Sequence, residues 1–146
     1  MLNKFLSFLF VGFFRFNLQT LLKRVFAHEK SDERAKELHE LLDKRSQNSS
    51  TTSVGNTLEE KAIIGTSDKY LRKVIKEALL EHEIIAESSP NSHAEINVIN
   101  KAETLNLTLT EIGSSRPICL DCENTLKSKN IAAKSSFSGK KSKKRK

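Results

Sequence analysis

Four residues of this chain carry types and spacings that could do chemistry: His93, Glu95, Cys119 and Cys122. Zinc takes nitrogen and sulfur donors in a tetrahedron, so one imidazole and two thiolates would fill all but one of its positions. The remaining position stays open to water, which is the pattern of a catalytic zinc site. Glu95 lies two residues beyond His93, where it can stand beside a metal without ligating it. A carboxylate so placed takes a proton from an activated water and passes it to a leaving group. Cys119 and Cys122 are three residues apart, so on a helix they share one face of one turn. A helix N-terminus also favours the thiolate, the form that binds metal. Other readings compete. A Cys-x-x-Cys pair can be a redox couple, though the aromatic and Gly-Pro context of a thioredoxin-like site is missing here. It can also be half of a structural zinc site, though the chain has no second pair of cysteines. Two cysteines do not make the disulfide framework of a small secreted scaffold.

The elements that must position these residues follow from pattern. Ser31 opens a charged helical stretch, SDERAKELHELLDKR, as its N-cap, with Asp32 and Glu33 at the positive end of the helix dipole. Ala35, Leu38, Leu41 and Leu42 form its apolar stripe, and His39 reads as a surface residue. Residues 46–56 are small and polar. Their first half reads as a linker, and Thr51–Val54 as a β-prone stretch leading into a wide turn at Gly55-Asn56 with Glu59-Glu60. Lys61–Ser67 completes a hairpin. Asp68 starts a second helix, DKYLRKVIKEALLEHE, with Leu71, Val74, Ile75, Ala78 and Leu79 on one face. Pro90, within SSPNS, ends that segment. A helix over His93–Leu105, a strand over Asn106–Gly113, a loop over Ser114–Ile118, a short helix over Cys119–Lys129 and a last strand over Ile131–Phe137 complete the order. His93 thus opens one helix and the cysteines open the next.

Length and charge bound what surrounds the site. The chain has 146 residues, enough for one core and too few for two full domains. Its formal charge of +7 is concentrated at the ends. Residues 131–146 hold seven cations and no acid, residues 1–30 sum to +4, and residues 31–130 therefore sum to −4. A basic surface for nucleic acid is expected of the ends, not of the middle. From Gly139 onward the charge run reads as a disordered, solvated terminus. Phe5–Phe14 is an uncharged apolar run of ten residues, too short to span a bilayer, which needs about 20. It reads as a membrane-surface or anchoring helix, as the remnant of a leader, or as a buried helix of the fold. The expected organisation is an apolar and basic segment at 1–30, a domain at 31–139 and a basic tail at 140–146.

His93-Ala94-Glu95 followed by Pro117-Ile118-Cys119-Leu120-Asp121-Cys122 follows the His-x-Glu and Pro-Cys-x-x-Cys signature of zinc deaminases. One residue, Ile118, stands between Pro117 and Cys119, where the usual motif has none; the ligand spacing is unaffected. The stretches IIGTSD, HAEINVIN, IGSSRPICLDCE and SFSGKKSKKR resemble the deaminase domains of bacterial polymorphic toxins, in particular the YwqJ-like group. The resemblance covers roughly residues 50–145 and is most specific in the two motif blocks. It implies an α/β fold, a cytidine deaminase-like three-layer sandwich with a mixed central sheet, here preceded by an N-terminal helical segment. It implies zinc held by His93, Cys119 and Cys122, with Glu95 as proton shuttle. Ser114, Ser115 and Arg116, in the loop before the cysteines, are weaker candidates for substrate contact. The expected activity is zinc-dependent hydrolytic deamination of a nucleobase in nucleic acid or in a nucleotide, by a toxin effector countered by an immunity protein. The alternatives are a housekeeping deaminase of free nucleosides and a non-enzymatic, zinc-stabilised module that binds nucleic acid or membrane. For the housekeeping nucleoside deaminase, Asn56 is the one candidate ribose contact in the hairpin. Residues 1–26 are a candidate membrane contact. Secretion or delivery into a target cell is one expected localisation, and the cytoplasm the other.

Overall fold

The computed structural model describes residues 30–143. The readings of the Phe5–Phe14 run, and of the last three cations of the tail, lie outside the described residues. Three helices and a hairpin come first in a chain of alternating elements. Helix α1 spans Ser31–Glu40. Its cap position is held by Lys30, with Ser31 as the first helical residue and no side-chain cap, so the expected Ser31 cap is displaced by one residue. Helix α2 spans Lys44–Ser49, where a linker was expected. Asp43 makes it: one carboxylate oxygen accepts from the Arg45 and Ser46 N–H groups, and the other from the Ser46 hydroxyl.

Strands β1 (Thr52–Thr57) and β2 (Ala62–Thr66) form the expected hairpin. Gly55 and Asn56 lie inside β1 rather than in its turn. The long second helix does not form. Helix α3 covers only Lys73–Glu77, and Glu83–Ile85 becomes an edge strand, β3. Arg34 of α1 explains the break. Its guanidinium donates to both carboxylate oxygens of Glu83 at 2.7 and 2.9 Å, and to the carbonyl of Ala78 at 2.9 Å. That interaction holds Ala78 at the helix end and fixes the start of β3. Helix α4 (Ala94–Thr104), strand β4 (Leu109–Ser114), helix α5 (Leu120–Ser128) and a two-residue strand β5 (Ala132–Ala133) follow.

The sheet order is β3-β2-β1-β4-β5. β1 pairs antiparallel with β2 and β4, while β3 and β5 pair parallel at the edges. Side chains alternate across this sheet, and each face has its own core. Ala62, Ile64 and Val54 pack with Ala35, Leu38, Leu71 and Ile75. Ile63 and Ile112 pack with Val98, Ala102, Cys122 and Leu126. The molecule is therefore an α/β structure with a mixed five-stranded sheet between helices, compatible with a three-layer sandwich.

Glycines set how closely the helices approach. A Cβ on Gly65 would lie 2.5 Å from the Ala94 carbonyl oxygen, and one on Gly55 would lie 2.5 Å from the Val98 side chain. These two positions let the N-terminal half of α4 sit directly on the strands. On the other face, a Cβ on Gly113 would run into the Asp32 backbone nitrogen, so α1 begins against bare backbone.

Candidate metal centre

His93 is the N-cap residue of α4, and Cys119 is the N-cap residue of α5. Both have extended backbones, so their side chains project past the ends of the helices. Cys122 lies one turn inside α5. Asn91, with φ of 57°, turns the chain after Pro90 toward His93; Asn tolerates this left-handed conformation better than most residues. The helix starts converge so that His93 Nδ1 lies 3.1 Å from Cys122 Sγ and 3.2 Å from Cys119 Sγ. The three donor atoms all lie within 4.8 Å of one another. A tetrahedron with bonds of about 2.0–2.3 Å has a nitrogen–sulfur edge of roughly 3.6 Å, so a shift of about half an ångström suits the group to a metal ion.

Burial pushes the Cys122 thiol far above the ordinary cysteine range, and the charge of Glu95 adds to the effect. Burial therefore outweighs the expected thiolate preference of a helix N-terminus. A cation is the partner that lets such a thiol ionise.

Glu95 is 4% exposed, yet it lines a cavity that His93 and Cys119 also line. One oxygen accepts from the Ser114 hydroxyl at 2.8 Å, and the other lies 3.7 Å from Cys122 Sγ. Ser114 in turn shares a 2.7 Å hydrogen bond with Ser53 on the neighbouring strand. Register explains the pair: Ser53 and Ser114 face each other across β1 and β4, on the side that carries α4. Asn97, one turn after His93, donates to the Thr66 carbonyl and accepts from the Ser89 N–H. It ties the loop before His93 to the end of β2. Ser53 and Asn97 were not singled out from sequence. Their only signal is a polar residue where the strand or helix pattern calls for an apolar one.

The loop residues have different placements. Ser114 is buried at 1% exposure and turned toward Glu95, not toward the cavity. The Ser115 hydroxyl accepts from the Thr52 N–H, holding β1. Arg116 lines the cavity and donates to the Gln47 carbonyl at 2.6 Å. That carbonyl also meets His39 Nε2 at 3.0 Å, and His39 Nδ1 meets the Thr52 hydroxyl. His39 is thus buried at 8% exposure rather than on the surface. Asn56 donates to Glu111 on β4, away from the cavity lining.

The cavity measures about 1010 Å³. Its far wall is the chain after β5. The Ile118 N–H donates to the Ser136 carbonyl, the Ser138 N–H to the Ile118 carbonyl, and the Leu120 N–H to the Lys140 carbonyl. Residues 136–140 are in this way laced to both sides of Cys119. Lys140, Lys141 and Lys143 line the cavity while remaining exposed to solvent.

No family model matches the chain, and neither the curated proteins nor the solved structures contain a match.

Proposed function

We propose that the chain is a zinc-dependent hydrolytic deaminase of a nucleobase, with a cytidine deaminase-like fold and His93, Cys119 and Cys122 as the metal ligands. The observation that carries this reading is Glu95, a buried carboxylate beside the donor group that is held by a hydroxyl and opens on the cavity. A purely structural zinc site has no use for it. One nitrogen and two sulfurs favour zinc over the hard, oxygen-seeking cations. When bound, zinc supplies Lewis acidity that makes water nucleophilic near neutral pH. Glu95 takes a proton from the attacking water and delivers it to the amino nitrogen. Water adds at the ring carbon, the carbon–nitrogen bond breaks, ammonia leaves and a carbonyl remains, so no oxidant or reductant is needed. Ser114 keeps one Glu95 oxygen occupied, which leaves the other to move the proton. The reading extends to the toxin role that the sequence resemblance implies.

Glu95→Gln tests it. The amide keeps the size of the side chain but cannot shuttle a proton, so turnover of base-containing substrates should fall by about a hundredfold or more. Zinc content, measured by elemental analysis, should stay near one ion per chain, as a single ligand set requires. Growth arrest of a bacterial host expressing the wild-type chain should disappear with the same change. A Glu95→Gln protein that deaminates at the wild-type rate rules the mechanism out.

A further inference from the structure

Cations gather on the cavity rim in a way the deamination chemistry does not require. Lys140, Lys141, Lys143 and Arg116 all line it. The acids lining the same cavity are Glu95, buried at its floor, and Asp121. The lysines are exposed, and no ion pair neutralises them among the described residues. Arg116 is held by the Gln47 carbonyl through one nitrogen, which orients the guanidinium and leaves further N–H donors on its fork. The Lys140 backbone is pinned by the Leu120 N–H, so this lysine segment has a defined place beside Cys119. A volume of about 1010 Å³ is at the top of the range of roughly 300–1,000 Å³ for small-molecule sites, more than a lone base fills.

We infer that Arg116, Lys140, Lys141 and Lys143 form a phosphate-binding rim, and that the substrate is a phosphorylated nucleotide unit rather than a neutral nucleoside. The inference rests on the proposed function for the base itself; the rim gives that base its phosphate. The phosphate belongs either to a free nucleotide or to a single strand, because a base inside a duplex cannot reach a buried centre without leaving the stack.

Binding separates this from the chemistry. The full, zinc-loaded Glu95→Gln chain would be titrated into a fluorescein-labelled single-stranded oligonucleotide, with a nucleoside, its 5′-monophosphate and the unlabelled oligonucleotide as competitors. Lys140→Gln, Lys141→Gln and Lys143→Gln combined should weaken binding by about tenfold or more and lower the slope of log affinity against log salt by about 2, at roughly 0.7 per lost phosphate contact on a single strand. Arg116→Gln should weaken it further. A charge-matched control, Lys69→Gln, Lys73→Gln and Lys76→Gln, none of which lines the cavity, should change binding much less. The monophosphate should compete better than the nucleoside; equal competition by monophosphate and oligonucleotide identifies a free nucleotide as the source, and a large oligonucleotide advantage identifies a strand. Unchanged affinity and slope in the rim variant, or equal competition by nucleoside and monophosphate, overturns the inference. Rim-dependent binding by a wild-type chain that deaminates nothing overturns the proposed reaction and supports the phosphate site.

Discussion

Glu95 and Ser114 show how much a single hydroxyl can govern. Ser114 donates to Glu95 at 2.8 Å inside the buried floor and is itself backed by Ser53. Hydrogen bonds to charged groups contribute about 1.5–3 kcal/mol. Ser114→Ala should leave zinc content and KM near wild type while lowering kcat by about tenfold, the equivalent of roughly 1.4 kcal/mol. Steady-state kinetics with metal analysis on the same preparation checks this, and a fall in zinc content would mark Ser114 as supporting the metal instead. The donor residues themselves were legible in the sequence, because type, order and spacing all pointed one way. The serine pair was not. Its two members are 61 positions apart, and only the β1–β4 register brings them together. Arg116 was legible as a loop cation, but not the Gln47 carbonyl that aims it, since that carbonyl belongs to a helix hidden in a run of Ser, Gln and Asn. The signal was available in Asp43, whose carboxylate is three residues before Ser46.

At the scale of elements, the approach of α4 to the sheet decides where His93 and Glu95 stand. Gly65→Ala would drive a methyl into the Ala94 carbonyl, and backbone cannot give way as a flexible side chain can. Overpacking of this kind costs about 1–3 kcal/mol, and here the displaced backbone directly follows His93. Gly65→Ala should therefore lower both stability and zinc affinity. Gly113→Ala, whose methyl would meet the start of α1 on the opposite face, should lower stability with a smaller change in zinc affinity. Denaturant melts and zinc competition titrations on both variants check the contrast; equal losses of affinity would mean that the two faces are coupled. Helix α4 was readable from apolar spacing because Val98, Ile99 and Ala102 on it are buried in the core under the sheet. The segment from Asp68 to Glu83 carried an equally good helical pattern and misled. Val74 is 41% exposed, and contacts from Arg34, far away in sequence, divert the chain into an edge strand. Local periodicity does not register such a partner.

For the whole molecule, the three-donor group of His93, Cys119 and Cys122 bridges two helices that the sheet already holds. Each face of that sheet has its own apolar core, so folding should not depend on metal outright, unlike a zinc finger. A site filled at about 1,000 times its dissociation constant adds roughly 4 kcal/mol. At about 2–8 °C per kcal/mol for domains of this size range, chelation should lower Tm by roughly 10 °C or more and leave a cooperative transition. Calorimetry with and without chelator measures it. Loss of the transition altogether would show that the two cores are insufficient alone.

The lacing of residues 136–140 to either side of Cys119 carries a thermodynamic corollary. The same backbone hydrogen bonds that locate Cys119 locate Lys140 beside the cavity. Whatever stiffens one end of this ladder lowers the entropy that the other end must still lose. Free-energy linkage is symmetrical: to the extent that metal helps the rim hold an anion, a bound anion strengthens the binding of the metal by the same factor. Metal retention would then be set partly by the polyanion surrounding the protein, with the ladder as the thread between them.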